Sequence, residues 1–376
     1  MRAGARRRLL ELAVLLVAPL SWPAARADES LPAQPVYSLP IKSASGVTWA
    51  GHFDTEWLAN LGGGRVPGMA SDMVGQLGFS VGSGYLRLPP GGRFKVTVLG
   101  VAARGRQSDQ FGEVQTLSNN WAPPMVRLYD FYWRQRIGEG NTLRLGMMNV
   151  ADYFGKVEAA GQLLNASFGL VPSISVNVPL TPTYPYTGTG AVDHHVAGSW
   201  SGTVGLFQGN PLEPGRPFRG GAMALAELDR LWLDGAGRAK VGAGLWRYRP
   251  APGEASAWGC YGQAERQAEW GGRPLGLFLQ WGASSGSEER VSDYVGLGVR
   301  LKQPWAGRKQ DVLSLGVARA WLRGTPHPAE TVLEATYIWR LDKWVALQPD
   351  LQWVLNPGGV NPDVLAGILR LHLEFF

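Results

Sequence analysis

From Leu128 to Ile137 the chain reads LYDFYWRQRI, which puts Asp130, Tyr132, Arg134 and Arg136 at every second position. Alternate residues of an extended strand share a face, so an acid, a phenol and two guanidinium groups stand in one row. Arg144 lies on the polar face of the next run. The segment Ala151–Thr189 that follows adds Asp152, Lys156, Glu158, Asn165, Tyr184 and Tyr186. Arginines set across from carboxylates make a transverse field, amides and hydroxyls replace hydration, and aromatic faces receive C–H groups. That set suits weak, reversible contact with a small polar solute. A second polar series, Gln263 with Glu265, Glu334, and Gln348 with Asp350 and Gln352, reads as an inner wall or as a ladder bracing the closing strands.

Other chemistries find less support. His52, His194, His195, His327 and His372 show no metal-ligand spacing, and His194 and His195 are consecutive, so their side chains part in a strand. Gly282–Gly286 matches G-x-S-x-G, but a nucleophile elbow needs a helix next, and Ser287-Glu288-Glu289-Arg290 leads into another strand. Carboxylates abound, yet glycoside hydrolysis depends on a pair separation that sequence does not give. The reading is therefore not of an enzyme, and it needs neither cofactor nor metal. Cys260 is the only cysteine, which leaves no intrachain disulfide.

Residues 1–27 read as a secretory signal: Arg2, Arg6, Arg7 and Arg8, an apolar Leu9–Leu20 apart from Glu11, then Ala25-Arg26-Ala27. Its removal takes five Arg and one Glu from 36 basic and 30 acidic residues, leaving 31 and 29, so excess charge gives no argument for nucleic acid. Residues 28–46 read as a periplasmic lead-in. No later run is long and apolar enough for a membrane helix.

From Val47 the chain alternates. Trp49, Phe53 and Trp57 oppose His52, Asp54 and Glu56, and Phe94, Val96 and Val98 oppose Lys95 and Thr97. The alternation predicts sixteen strands, at 47–59, 70–82, 93–103, 124–137, 141–150, 190–200, 202–208, 220–233, 237–248, 256–269, 272–283, 291–302, 311–322, 330–340, 345–355 and 364–375. Even-numbered connections are mostly very short, as at Gly138–Gly140 and Trp270–Gly271. Odd-numbered ones are longer, as at Arg104–Pro123 and Ala151–Thr189. Short periplasmic turns and long outer loops mark an outer-membrane barrel. Ser83–Gly92 departs from this, and would shorten if its strand ran on through Leu88. Pro349 within a strand predicts a local bulge.

Three features set a membrane barrel above a soluble sheet protein. Tryptophans sit near strand ends (Trp49, Trp57, Trp200, Trp270, Trp339). The polar face carries charge, as in Arg370, His372 and Glu374. The chain ends within a strand on Phe375-Phe376. The expected fold is all-β: a 16-stranded antiparallel transmembrane β-barrel over 47–376, with 151–189 a long in-folded external loop that narrows the mouth. Four prolines, Pro172, Pro179, Pro182 and Pro185, stiffen that loop.

Over residues 45–376 the chain resembles the bacterial carbohydrate-selective porin family (OprB-type). The resemblance rests most on Leu347-Gln-Pro-Asp-Leu-Gln-Trp-Val-Leu-Asn-Pro-Gly-Gly359, followed by the closing strand Val364–Phe376. Glu334 with Tyr337, Gly259–Gln263, Gly276–Gln280, Leu163–Gly169, Pro182–Pro185 and Phe207–Pro211 have the same look; Gln280 is neutral where the family carries a basic residue. The resemblance implies a Gram-negative outer-membrane porin for passive diffusion of monosaccharides such as glucose, inserted by the barrel insertion machinery. Monomer and homo-oligomer both fit. Two other readings stay open: a porin for other small solutes (sugar acids, amino acids, anions), suited by the arginines of the fourth strand, and a secreted all-β carbohydrate-active enzyme or lectin.

Overall fold

The structure, a computed structural model, describes residues 41–42, 46–105, 110–213, 216–234, 237–251, 255–286 and 289–375. The expected signal at 1–27 and most of the lead-in lie outside the described residues. Ile41–Lys42 forms a short strand, β1, paired with Trp49 and Thr48. The barrel follows: β2 Val47–Gly63, β3 Met69–Gly82, β4 Gly92–Arg104, β5 Met125–Ile137, β6 Asn141–Met148, β7 Gly188–Ala197, β8 Trp200–Gln208, β9 Gly221–Asp234, β10 Gly237–Pro250, β11 Ala257–Trp270, β12 Arg273–Gly286, β13 Val291–Lys302, β14 Val312–Leu322, β15 Ala329–Arg340, β16 Val345–Leu355 and β17 Val364–Phe375. Each pairs antiparallel with the next, and β17 pairs with β2, closing sixteen strands into a barrel. Closure leaves no unpaired edge, which a sheet in lipid requires.

The two faces are inverted relative to a soluble protein. Leu77, Val98, Leu145, Val204, Leu228, Leu245, Leu297, Leu351 and Leu369 are exposed on the outside. Glu56, Asp72, Glu227, Gln263, Glu265, Glu334, Gln352 and Arg370 are buried inside. Burial of the polar face and exposure of the apolar one fit lipid around the wall. Trp49, Trp57, Trp200, Trp270 and Trp339 are exposed on that outer surface. No helix among the described residues is long and apolar enough to cross a membrane.

The apolar core is inside the barrel. Phe111, Leu117, Phe154, Leu163, Leu164, Phe168, Val171 and Ile174, from two connections, pack against Phe207, Tyr261, Phe278, Tyr294, Val332 and Val354 of the wall. Wall glycines make the space. A Cβ on Gly316 would lie 2.6 Å from Phe168 and 2.8 Å from Leu163, and one on Gly205 would lie 2.8 Å from Phe154.

Three details correct the sequence reading, and a fourth adds to it. The strand ending at Gly82 does not run on to Leu88; Ser83 and Leu88 close a turn instead. Pro349 sits opposite Leu369 in unbroken register without a bulge. The ladder to β15 simply lapses between the pairs Thr336–Asp350 and Trp339–Leu347. The β7–β8 turn falls at Gly198-Ser199 rather than at 201, because Gly198 takes the left-handed conformation (φ 60°) and Trp200 already pairs with Ala197. Finally, the long connection is built from short helical turns, the last at Pro172–Ser175.

Candidate functional site

Two outer connections reach the inner wall: the one between β4 and β5, through its residues 110–124, and 149–187, between β6 and β7. Four wall glutamates hold them by their backbone N–H groups. Glu227 on β9 accepts from Gly155 (2.6 Å). Glu265 on β11 accepts from Glu158 (2.5 Å) and Ala159 (3.3 Å). Glu334 on β15 accepts from Leu164 (2.5 Å) and Asn165 (3.1 Å). Glu330, also on β15, accepts from Val114 and Gln115, each at 2.7 Å, and from Gly358 at 2.7 Å. Irregular backbone buried in a barrel needs such partners, because each orphaned N–H costs about 1–3 kcal/mol.

Amides complete the attachment. Gln348 donates to Gln162 O (2.8 Å), Gln352 to Leu117 O (2.8 Å), and Gln280 to Phe168 O (3.2 Å). Asn165, almost wholly buried, donates to Gln115 O (3.1 Å) and Gln352 Oε1 (3.0 Å), which joins the two connections. Tyr184 donates to Asn120 O, and Asn120 donates to Asp54 (2.8 Å). Near Lys240, whose Nζ donates to Lys156 O (2.7 Å), Glu158 meets Arg300 (3.1 Å), Arg238 (3.4 Å) and Gln267 (2.8 Å). Burial alone would raise the Glu158 carboxyl, but the Gln267 hydrogen bond and the Arg300 and Arg238 charges outweigh it and hold it below its ordinary range. Glu113, on the earlier connection, is pushed up to about 7, mainly by burial, with Glu330 adding to the effect.

The predicted residues therefore divide. Glu265, Glu334, Gln348, Gln352, Asn165 and Tyr184 spend their polar atoms on attaching the connections. Gln263 bonds to Asp229 (3.1 Å) and Asp350 accepts from Gln352 (2.9 Å), both within the buried wall. On β4 and β5, Asp130 pairs with Lys95 (2.8 Å), and Lys95 also lies 5.8 Å over Tyr132. Arg134 stands opposite Arg93 on one side and Arg144 on the other. Arg144 stacks 5.0 Å over Tyr153, and Arg127 5.4 Å over Tyr186. Asp152 accepts from Asn149 (3.1 Å), while Lys156 is exposed. Arg136 is exposed beside the Gly138–Gly140 turn, two residues beyond Arg134 on the same strand and opposite Thr142.

Sequence reasoning found the connection between β4 and β5 by length but missed its inward packing through Phe111, Glu113, Gln115 and Leu117, and the anchors Glu227 and Glu330. The one available signal was an apolar set, Phe111, Val114 and Leu117, at three-residue spacing within a supposed surface loop.

A closed sixteen-stranded barrel, apolar outside and polar inside, with outer connections drawn into its interior, defines a porin-type channel of a Gram-negative outer membrane. The model of the carbohydrate-selective porin, OprB family matches residues 68–247 and 220–375, and the chain belongs to that family. Its fold matches the high-pH structure of Pseudomonas putida OprB with a TM-score of 0.79 at 17% identity, over 88% of this chain and 94% of that one. The low-pH structure of the same porin matches at TM-score 0.59 and 14% identity, over 88% and 93%. A loop L8 deletion mutant of OmpT from Vibrio cholerae matches at 0.54 and 11%, over 88% and 99%. No curated protein matches the sequence.

Proposed function

We propose that the chain is a passive diffusion channel for monosaccharides such as glucose, driven by the solute gradient alone. The two connections, through residues 110–124 and 149–187, form its constriction. Solute passes between them and the wall that carries Asp130, Tyr132, Arg134 and Arg144, with Asp152 on the 149–187 connection. The observation that carries this reading is the set of four wall glutamates clasping backbone N–H groups of both connections. A segment fixed at that many points narrows the lumen permanently and needs no separate closing step. The lining mixes charged pairs with Tyr132, Tyr153 and Tyr186, the combination that holds a sugar weakly enough to release it. The channel performs no catalysis and uses no cofactor; it reaches the membrane through the barrel insertion machinery. Swelling of liposomes carrying the purified protein tests this. Glucose should swell them several-fold faster than a disaccharide; equal rates would remove the constriction.

A further inference from the structure

Arg93, Arg134 and Arg144 lie on one rung of three adjacent strands. Arg93 is directly opposite Arg134 across β4–β5, and Arg134 is directly opposite Arg144 across β5–β6. Their neighbours in sequence, Phe94, Trp133 and Leu145, take the outer face, so all three guanidinium groups face the lumen. The rung lies toward the periplasmic end, since Arg93 is the second residue of β4 and Arg134 is three residues before the end of β5.

The row is uncompensated. Among the described residues neither Arg134 nor Arg144 has an ion-pair partner, and the closest acid along β5, Asp130, is taken by Lys95. The charged groups acting on Arg134 are Arg144, Arg136 and Arg93. Its Nε is buried without a hydrogen-bond partner. The flanking arginines are held in place: Arg93 donates to Ser80 Oγ (2.8 Å), and Arg144 is stacked on Tyr153. Like charges directly opposite one another destabilise a sheet. A fixed row with a bare central guanidinium is what an anion between them would stabilise. Planar forks suit carboxylate and phosphate oxygens, which they bind two at a time.

We infer that this rung is an anion seat and that its solute is an acidic monosaccharide, the carboxylate on the arginines and the ring against Tyr132 and Tyr153. The assignment rests on the channel reading above and narrows its solute class. Neutral sugars pass the same lumen without using the seat's charge.

The test uses whole mature protein in planar bilayers and liposomes, as wild type, R134Q/R144Q and R134K. Glutamine removes charge from a crowd of like charges, so the barrel should fold, and heat-modifiable gel mobility verifies it. In a potassium chloride gradient the wild type should prefer chloride. The double variant should lose about fourfold in the chloride-to-potassium ratio, roughly a factor of two per charge at water-like screening. Gluconate flux relative to glucose flux should fall at least as much. R134K should keep the chloride preference but lose gluconate flux, because an ammonium lacks the fork. An unshifted reversal potential in the double variant would overturn the seat. A shifted potential with gluconate excluded from the wild type would overturn the acidic-sugar assignment and leave a site for inorganic ions. Because the reversal potential needs no sugar, failure of glucose to permeate would count against the channel reading alone.

Discussion

Replacing Glu334 by alanine removes the acceptor for Leu164 N–H and Asn165 N–H, both in the buried interior. Leaving a buried N–H unsatisfied costs about 1–3 kcal/mol, so orphaning two costs about 2–6 kcal/mol. Asp350 lies close enough for the two carboxylates to repel, and its relief offsets part of that. A net loss of about 3 kcal/mol is the working figure, equivalent to roughly a hundredfold in an equilibrium constant. Glu227, Glu265 and Glu330 still hold their own N–H groups, so the constriction stays mostly seated but leaves its seat about a hundredfold more often. Single-channel recording should show brief upward steps or excess open-channel noise in Glu334→Ala, in a barrel that still runs heat-modifiably. Glu334→Gln keeps one carbonyl oxygen for the backbone and offers an amide to Asp350, so its record should stay near wild type. A quiet Glu334→Ala channel of wild-type conductance would refute the reasoning that carboxylate clasps fix the connection.

Other perturbations address the same device from different sides. Gly316→Val places a Cβ 2.6 Å from Phe168, so the 149–187 connection must move inward, and single-channel conductance should change while the barrel remains folded; an unaltered current would contradict the packing. Deleting much of Gly161–Pro182 should raise conductance, and an unaltered current would end the constriction reading. Glu158→Gln weakens the contacts with Arg300 and Arg238 and should raise open-channel noise, which would be absent if Glu265 alone held that turn. Glu113 supplies a pH test. Its seated carboxyl titrates near 7 against an ordinary 4.5, so the seated connection binds more protons between those values and its stability falls as pH rises through that window. Noise should grow from pH 5 to 7.5 in wild type and stay flat in Glu113→Gln, and identical profiles would exclude Glu113 as the cause.

The barrel was legible because alternation is a local property and because lipid outside and water inside leave the two faces chemically distinct. The 149–187 connection announced itself by length and prolines. The inward packing of 110–124 did not, since its burial depends on Glu330 and Gln352, more than two hundred residues away, and nothing local distinguishes it from a surface loop. Glu265, Glu334, Gln348 and Gln352 are buried, but sequence cannot tell a carboxylate that meets solute from one that meets a backbone N–H. The arginine rung was half visible: Arg134, Arg136 and Arg144 stood out by spacing. Register then added Arg93 and placed Arg136 opposite Thr142, outside the rung itself.

Single-channel current through the purified mature protein, titrated with glucose and then with a disaccharide, tests the central claim most directly. Open steps that millimolar glucose interrupts, with the disaccharide far weaker, are the expected result. Large steps indifferent to both sugars would contradict a lumen narrowed to monosaccharide size by its two clasped connections.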